Sequence, residues 1–181
     1  DREVESIRAM EATIVSLEDL VRLVPDMVEF HEDHARALVN MGHLRHQLEN
    51  ATTAEAYVEK GREILVRLHD SVDSDKYIKD IATAQLMLGL VKLDLESDNL
   101  ALVNDLLDGA VNLFEQLGPD APAAQQRTLA TNLSEAFLAQ SVLQERLGHV
   151  AEAVSLADQA REFLDHLVEN ERGTTQLDAL A

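Results

Sequence analysis

REILVRL, at residues 62–68, returns as VNLFEQL at 111–117 and as REFLDHL at 161–167, which sets Leu68, Leu117 and Leu167 at separations of 49 and 50 residues. An earlier stretch, ARALVNMG at 35–42, returns as ATAQLMLG at 82–89, 47 residues on. Self-similarity over such a period marks a repeat array, in which each unit buries its apolar face only against its neighbours. Counting back from the three leucines brings modest side chains to matching places: Ala54, Val58 and Gly61, then Val103, Leu107 and Ala110, then Ala153, Ala157 and Ala160. Small residues there let one helix approach another closely. Each unit therefore reads as a helical hairpin of about fifty residues. The same spacing back from Leu23 falls on Ala9, Thr13 and Ser16, so the first helix reads as the second half of a hairpin whose first half lies upstream.

Apolar residues recur at three and four, as in Ile7, Ile14, Leu17 and Leu20, or Met27, Phe30, Leu38, Met41 and Leu48, and no stretch alternates with period two. The pattern predicts helices near 2–23, 26–49, 52–69, 74–96, 98–117, 121–147 and 149–170. The breaks carry helix-stopping chemistry: Val24-Pro25-Asp26, the capping residues Asn50 to Thr53, Ser97-Asp98, and the turn Gly118-Pro119-Asp120. Aromatic residues make up 3% of the chain, and Leu and Ala recur throughout, which favours helices packed through aliphatic side chains over a β-sandwich.

Thirty-four Asp and Glu against fifteen Lys and Arg give a formal charge of −19. Phosphate backbones and anionic lipid surfaces are repelled by such a surface, so neither nucleic acid nor membrane is an expected partner, whereas a basic peptide is compatible with it. There is no cysteine, and hence no disulfide, thiol nucleophile or thiolate zinc site, which fits a cytoplasmic location. The longest apolar run, Leu86–Val91, is far shorter than the roughly 20 residues of a membrane helix. The chain opens at Asp1 rather than Met, as a segment of something longer would.

Leu147-Gly148-His149-Val150-Ala151-Glu152-Ala153, followed by Ala157 and Ala160, resembles the inter-helix turn of the tetratricopeptide family, Gly-x-x-x-Glu-Ala followed by small residues. The run from Tyr77 to Ala82 leading into Leu88-Gly89, with the fifty-residue period, is similar to the longer-repeat arrays that accompany bacterial Ser/Thr kinases and other multidomain regulators. The resemblance covers residues 26–170. It implies an all-α superhelix, a solenoid of about seven antiparallel helices forming one domain over 1–170: a half-repeat at 1–23, hairpins at 26–69, 74–117 and 121–170, and a tail or short cap at 171–181. The chain departs from the pattern at a few places. Glu49 and Glu96 are the counterparts of Gly148, and Ser141 stands where Gly42 and Gly89 stand.

In such stacks the first helix of each hairpin lines a concave face. The resemblance places Arg36, Val39, His43, His46 and Gln47 there, then Thr83, Leu86, Leu90, Leu93 and Asp94, then Glu135, Leu138, Val142, Glu145 and Arg146. Leu86, Leu90 and Leu93 are either packed against the next hairpin or form an apolar floor where a ligand helix or extended peptide docks. Of the Lys, Asn and Arg set with which some members clamp a C-terminal carboxylate, only Arg36 and Asn40 have a likeness here, so that ligand is not expected.

The stretch FHEDHARALVNMGHLRH, residues 30–46, holds two His-x-x-His pairs, His31/His34 and His43/His46. At about 100° per residue each pair shares a helix face, but the pairs are separated by roughly 18 Å of rise, so one metal cannot use all four. A catalytic zinc motif sets its histidines four apart, and no histidine has Glu three before it as di-iron bundles require. His34, between Phe30 and Leu38, reads as a buried, hydrogen-bonded histidine, and His31 as exposed near the helix start. Acid pairs such as Glu32/Asp33 and Asp73/Asp75 read as a solvated face. No serine-hydrolase, phosphate-loop or dinucleotide-binding signature is present.

Two functions are expected from these observations. One is a non-enzymatic scaffold that binds a peptide or partner domain in the concave groove, without a cofactor. The other is a metal- or pH-responsive regulatory module that uses the His pairs, with His31 and His34 as the weak metal candidates. The terminal helices could also pair with a second copy of the chain.

Overall fold

The computed structural model describes the backbone of residues 2–48, 50–72, 75–96, 98–118 and 123–178, and the side chains of residues 4–48, 50–71, 75–96, 98–118 and 125–165. Glu49, Asp73, Ser97, Pro119 and Asp120, read above as a Gly148 counterpart, acid pair, cap and turn, lie outside the described residues, as does the Leu167 side chain. Two compact units emerge, Asp1–Asn99 and Leu100–Ala181. The first contains α1 (Arg2–Leu23), α2 (Val28–Gln47), α3 (Ala51–Val72), a 3-10 turn (Asp75–Tyr77) and α4 (Ile78–Asp94). The second contains α5 (Leu100–Leu117), α6 (Ala123–Arg146) and α7 (Val150–Asp178). Within each unit sequence-adjacent helices pack on one another, as in an α-helical repeat array. Among the described residues there is no strand, and no helix is long and apolar enough to cross a membrane.

The boundaries differ from the periodicity in instructive places. α4 begins at Ile78 rather than 74, because Asp75–Tyr77 winds more tightly and drives the Tyr77 ring into the interior. The helix expected to end at 170 continues to Asp178. Only Gly173 interrupts that stretch, and one glycine costs a helix about 1 kcal/mol. Asn50 caps α3 as its side chain predicts, its Oδ1 accepting from the Thr53 amide at 3.2 Å.

Hairpin packing follows from the small residues. A Cβ added at Gly42 would lie 2.3 Å from Val58 Cγ2 and 3.1 Å from the Ala54 carbonyl oxygen, and one added at Gly61 would lie 2.8 Å from Val39 Cγ2 and 2.9 Å from the Ala35 carbonyl oxygen. Thus α2 and α3 touch backbone to backbone at two points, Ala35 with Gly61 and Gly42 with Ala54. In the second unit Ser134 Oγ donates to the Ala160 carbonyl at 3.0 Å and Ser141 Oγ to the Ala153 carbonyl at 2.7 Å. These are the same four positions displaced by 99 residues. A serine can stand where Gly42 stands because Val58, whose Cγ2 is the nearest atom to a Cβ at Gly42, has Ala157 as its counterpart, and the hydroxyl then bonds the facing carbonyl.

The turn after α6 places Gly148 at φ +82°, and after α4 the counterpart Glu96 adopts φ 50° without glycine's freedom. Gly61→Ala is expected to destabilise the chain by about 1–2 kcal/mol, because the clash with a backbone oxygen outweighs the helix-propensity gain of about 1 kcal/mol. Glu96→Gly should stabilise it by roughly 0.5–1 kcal/mol. Urea midpoints measure both, and an unchanged or raised midpoint for Gly61→Ala would contradict the close approach.

Candidate interaction surface

In the first unit α2 and α4 lie side by side and present a shared polar surface. At one end Arg36 Nε donates to Asp80 Oδ2 at 2.7 Å; further along, His46 Nε2 donates to Asp94 Oδ2 at 2.6 Å. Gln47 Nε2 lies 2.7 Å from His43 Nε2, with both side chains exposed. Arg36, Val39, Asn40, Leu65, Asp80 and Thr83 line a small depression of ≈ 150 Å³. Of the expected groove residues, Arg36, Val39 and Thr83 are therefore brought together there, and His46 is joined to Asp94. Thr83 is half-buried and turns its hydroxyl back to the Lys79 carbonyl at 2.9 Å.

The leucine stripe of α4 is placed differently. Leu86 and Leu93 are each 3% exposed and Leu90 is half-buried, so two of the three are interior side chains. Val39 is also buried, its Cγ2 filling the space over Gly61. On α6 the reverse holds. Leu138 is 47% and Val142 43% exposed, with exposed Glu135 and Glu145 on either side along the same face.

Beneath Arg36 lies a feature that acid-pair counting misses. Glu32 was expected on a solvated face, but it is only 6% exposed, while Asp33 beside it is exposed. Tyr77 Oη donates to Glu32 Oε1 at 2.6 Å, Lys76 Nζ pairs with the same oxygen, and Arg36 Nη1 stands 3.9 Å from Oε2. Burial pushes the Glu32 carboxyl up, but the hydrogen bonds from Lys76 and Tyr77, with Arg36, outweigh it and hold the carboxyl below the usual carboxylate range. The phenol of Tyr77 is pushed up by its own burial and by Glu32. The network fastens the 3-10 turn to α2. Its signal in the sequence is register, since Glu32 falls on the buried stripe of Ala35 and Val39 at three and seven residues' spacing.

The histidine pairs do not assemble as chelates. His31 Nε2 donates to the Pro25 carbonyl at 2.8 Å and is half-buried rather than exposed. His34 is buried as expected, but it lacks the expected hydrogen bond: its Nε2 has no partner within bonding distance, the nearest carboxylate being Glu18 at 3.6 Å. Glu18 is held instead by Lys60 at 2.6 Å, which lowers its pKa. Among the described residues no three His, Asp or Glu side chains gather into a group able to hold a metal ion. Comparison of the sequence with protein-family models and with curated proteins found no match.

Burial, and then Lys60, depress the His34 pKa below 6.5, against the opposing pull of Glu18. A depressed histidine leaves stability intact above pH 6.5 and erodes it as pH falls below, because the unfolded chain takes up the proton first. His34→Leu should therefore be as stable as the parent at pH 7.5 and lose less stability on acidification through this range. Parallel stability curves for the two proteins would contradict the assignment.

Proposed function

We propose that the chain is a non-enzymatic interaction module, a helical-hairpin array of the tetratricopeptide kind, which binds a peptide or a partner domain through the solvent faces of its first helices. The observation that carries this reading is α6. Two large apolar side chains, Leu138 and Val142, remain about half exposed one turn apart after Leu133, Phe137 and Leu143 have filled the interior of that helix. Flanking carboxylates at Glu135 and Glu145 give an apolar centre with an acidic rim, a pattern that suits an amphipathic segment carrying basic residues. On α2 and α4 the corresponding face is polar, with Arg36, Asn40, His43, Gln47 and Asp80 supplying donors and acceptors. The net charge of −19 favours a basic partner and fast, salt-sensitive encounter. A cytoplasmic setting suits a cysteine-free acidic chain of this type.

The purified chain, used as bait in a native lysate, tests the reading together with Leu138→Asp and His46→Glu. Both variants should keep the parent's helicity by circular dichroism, and Leu138→Asp should release the retained partner. Retention of the same protein by Leu138→Asp at parental levels would remove α6 as the binding face.

A further inference from the structure

The chain builds the same three-helix cleft twice. In the first unit α1 and α3 flank α2 around a cleft of ≈ 570 Å³, whose lining includes Ile14, Leu38 and Tyr57. In the second, α5 and α7 flank α6 around a cleft of ≈ 410 Å³. The 99-residue displacement that matches the two hairpins maps Leu38 to Phe137, Tyr57 to Leu156 and Met41 to Gln140. Matching Leu23 to Leu117 maps Ile14 to Asp108.

Two changes distinguish the second cleft. First, the buried apolar pair Ile14 and Met41 is replaced by Asp108 and Gln140. Gln140 is only 8% exposed, and its Nε2 donates to Asp108 Oδ1 at 2.5 Å, while Asn104 Nδ2 donates to the other carboxylate oxygen at 2.6 Å. Gln140 Oε1 is buried and accepts no hydrogen bond. The fold itself runs on aliphatic side chains at these positions, and a buried acceptor without a donor costs stability. Second, the cations are gone. In the first cleft Glu11 is paired with Arg45 at 2.7 Å and Glu18 with Lys60 at 2.6 Å, but the counterparts of those cations are Gln144 and Gln159. Among the described residues the second cleft has Asp108 and Glu152 in its lining and no Lys or Arg.

We propose that the cleft between α5, α6 and α7 receives a lysine side chain from a polypeptide partner. Its four-carbon stem lies along Val111, Phe137 and Leu156, and its ammonium N–H groups donate to Asp108, to Gln140 Oε1 and to Glu152. Lysine is assigned over arginine because the acceptors are separate points, with one amide hydrogen already on each Asp108 oxygen and Gln140 Oε1 standing alone, and a compact ammonium with three donors suits such a set better than a planar fork. This site is separate from the α6 face of Leu138 and Val142, so either can fail without the other.

The test is an NMR titration of the whole chain with Nα-acetyl-lysine-methylamide, its Nε-acetylated form, the arginine analogue and n-butylammonium. Saturable shifts at Phe137, Leu156 and the Gln140 side-chain amide are expected with the lysine derivative and not with its acetylated form. Asp108→Ile with Gln140→Met, which installs the first cleft's own pair, should raise the thermal midpoint and lose the shifts. Asp108→Asn, which keeps an acceptor for Gln140 and removes the charge, should lose them too. Shifts spread over the acidic surface without saturation, or unchanged in these variants, overturn the site. Equal binding of the arginine analogue overturns the lysine assignment, and equal binding of n-butylammonium overturns the polypeptide source. Leu138→Asp should leave the titration as it is in the parent.

Discussion

The rest of the structure depends on how closely two helices of a hairpin can approach. Between α2 and α3 the two glycines bring backbones to distances at which even a methyl group meets a carbonyl oxygen. Contact that close fixes both the axial register and the rotation of each helix, because sliding by one residue would put a full side chain at the crossing. Once rotation is fixed, the remaining positions have no freedom. Leu38, Met41, Val58 and Leu65 must face inward, and Arg36, His43 and Gln47 must face outward. The second unit keeps that register while changing its chemistry, substituting serine-to-carbonyl hydrogen bonds for glycine contacts. A hydroxyl bound to a carbonyl offers a directional contact in a place where the first unit has only van der Waals packing.

Against this repeated frame, departures from pattern carry the most information. Glu32 is a buried charge on a stripe otherwise filled by Ala35 and Val39, and it is tolerated because a phenol and an ammonium converge on one of its oxygens. It holds the turn before α4 to the preceding hairpin. On α3 and α4, Lys92 pairs with Glu55 and stands 3.5 Å from Glu59, and these carboxylates outweigh its partial burial and push its pKa up. In the second unit Asp108 and Gln140 stand where the first has the aliphatic Ile14 and Met41. Glu32 and Lys92 are spent on partners in neighbouring elements, whereas Gln140 keeps a buried acceptor without a donor after its bond to Asp108, and this difference separates structural from functional candidates.

Much of the fold could be read from the sequence, because steric necessity at the crossings leaves only small residues allowed there. Ala54, Val58, Gly61, Ala153 and Ala160 are buried where the count back from the repeated leucines puts them. The Asn50 cap was readable because its signal is local. The candidate site was less so. Leu86 and Leu93 belong to a helix that is apolar nearly all round, and periodicity in such a helix does not say which side is covered. The Glu32–Tyr77 bond joins residues 45 apart through a phenol whose neighbours look like an ordinary turn. The Asp108–Gln140 pair carries no motif, and it stands out only when the two clefts are superimposed through the register that the hairpins share.

The second hairpin crosses in the register that the glycines fix in the first, and since the chain contains no cysteine, disulfide trapping measures that register directly. Ser134→Cys with Ala160→Cys, and Ser141→Cys with Ala153→Cys, should each form an intramolecular disulfide rapidly under mild oxidation, because these positions face one another and already carry Cβ atoms. The pairs displaced by one residue, 134 with 161 and 141 with 154, should form theirs far more slowly. Equal rates for the matched and displaced pairs would contradict a shared, sterically fixed register.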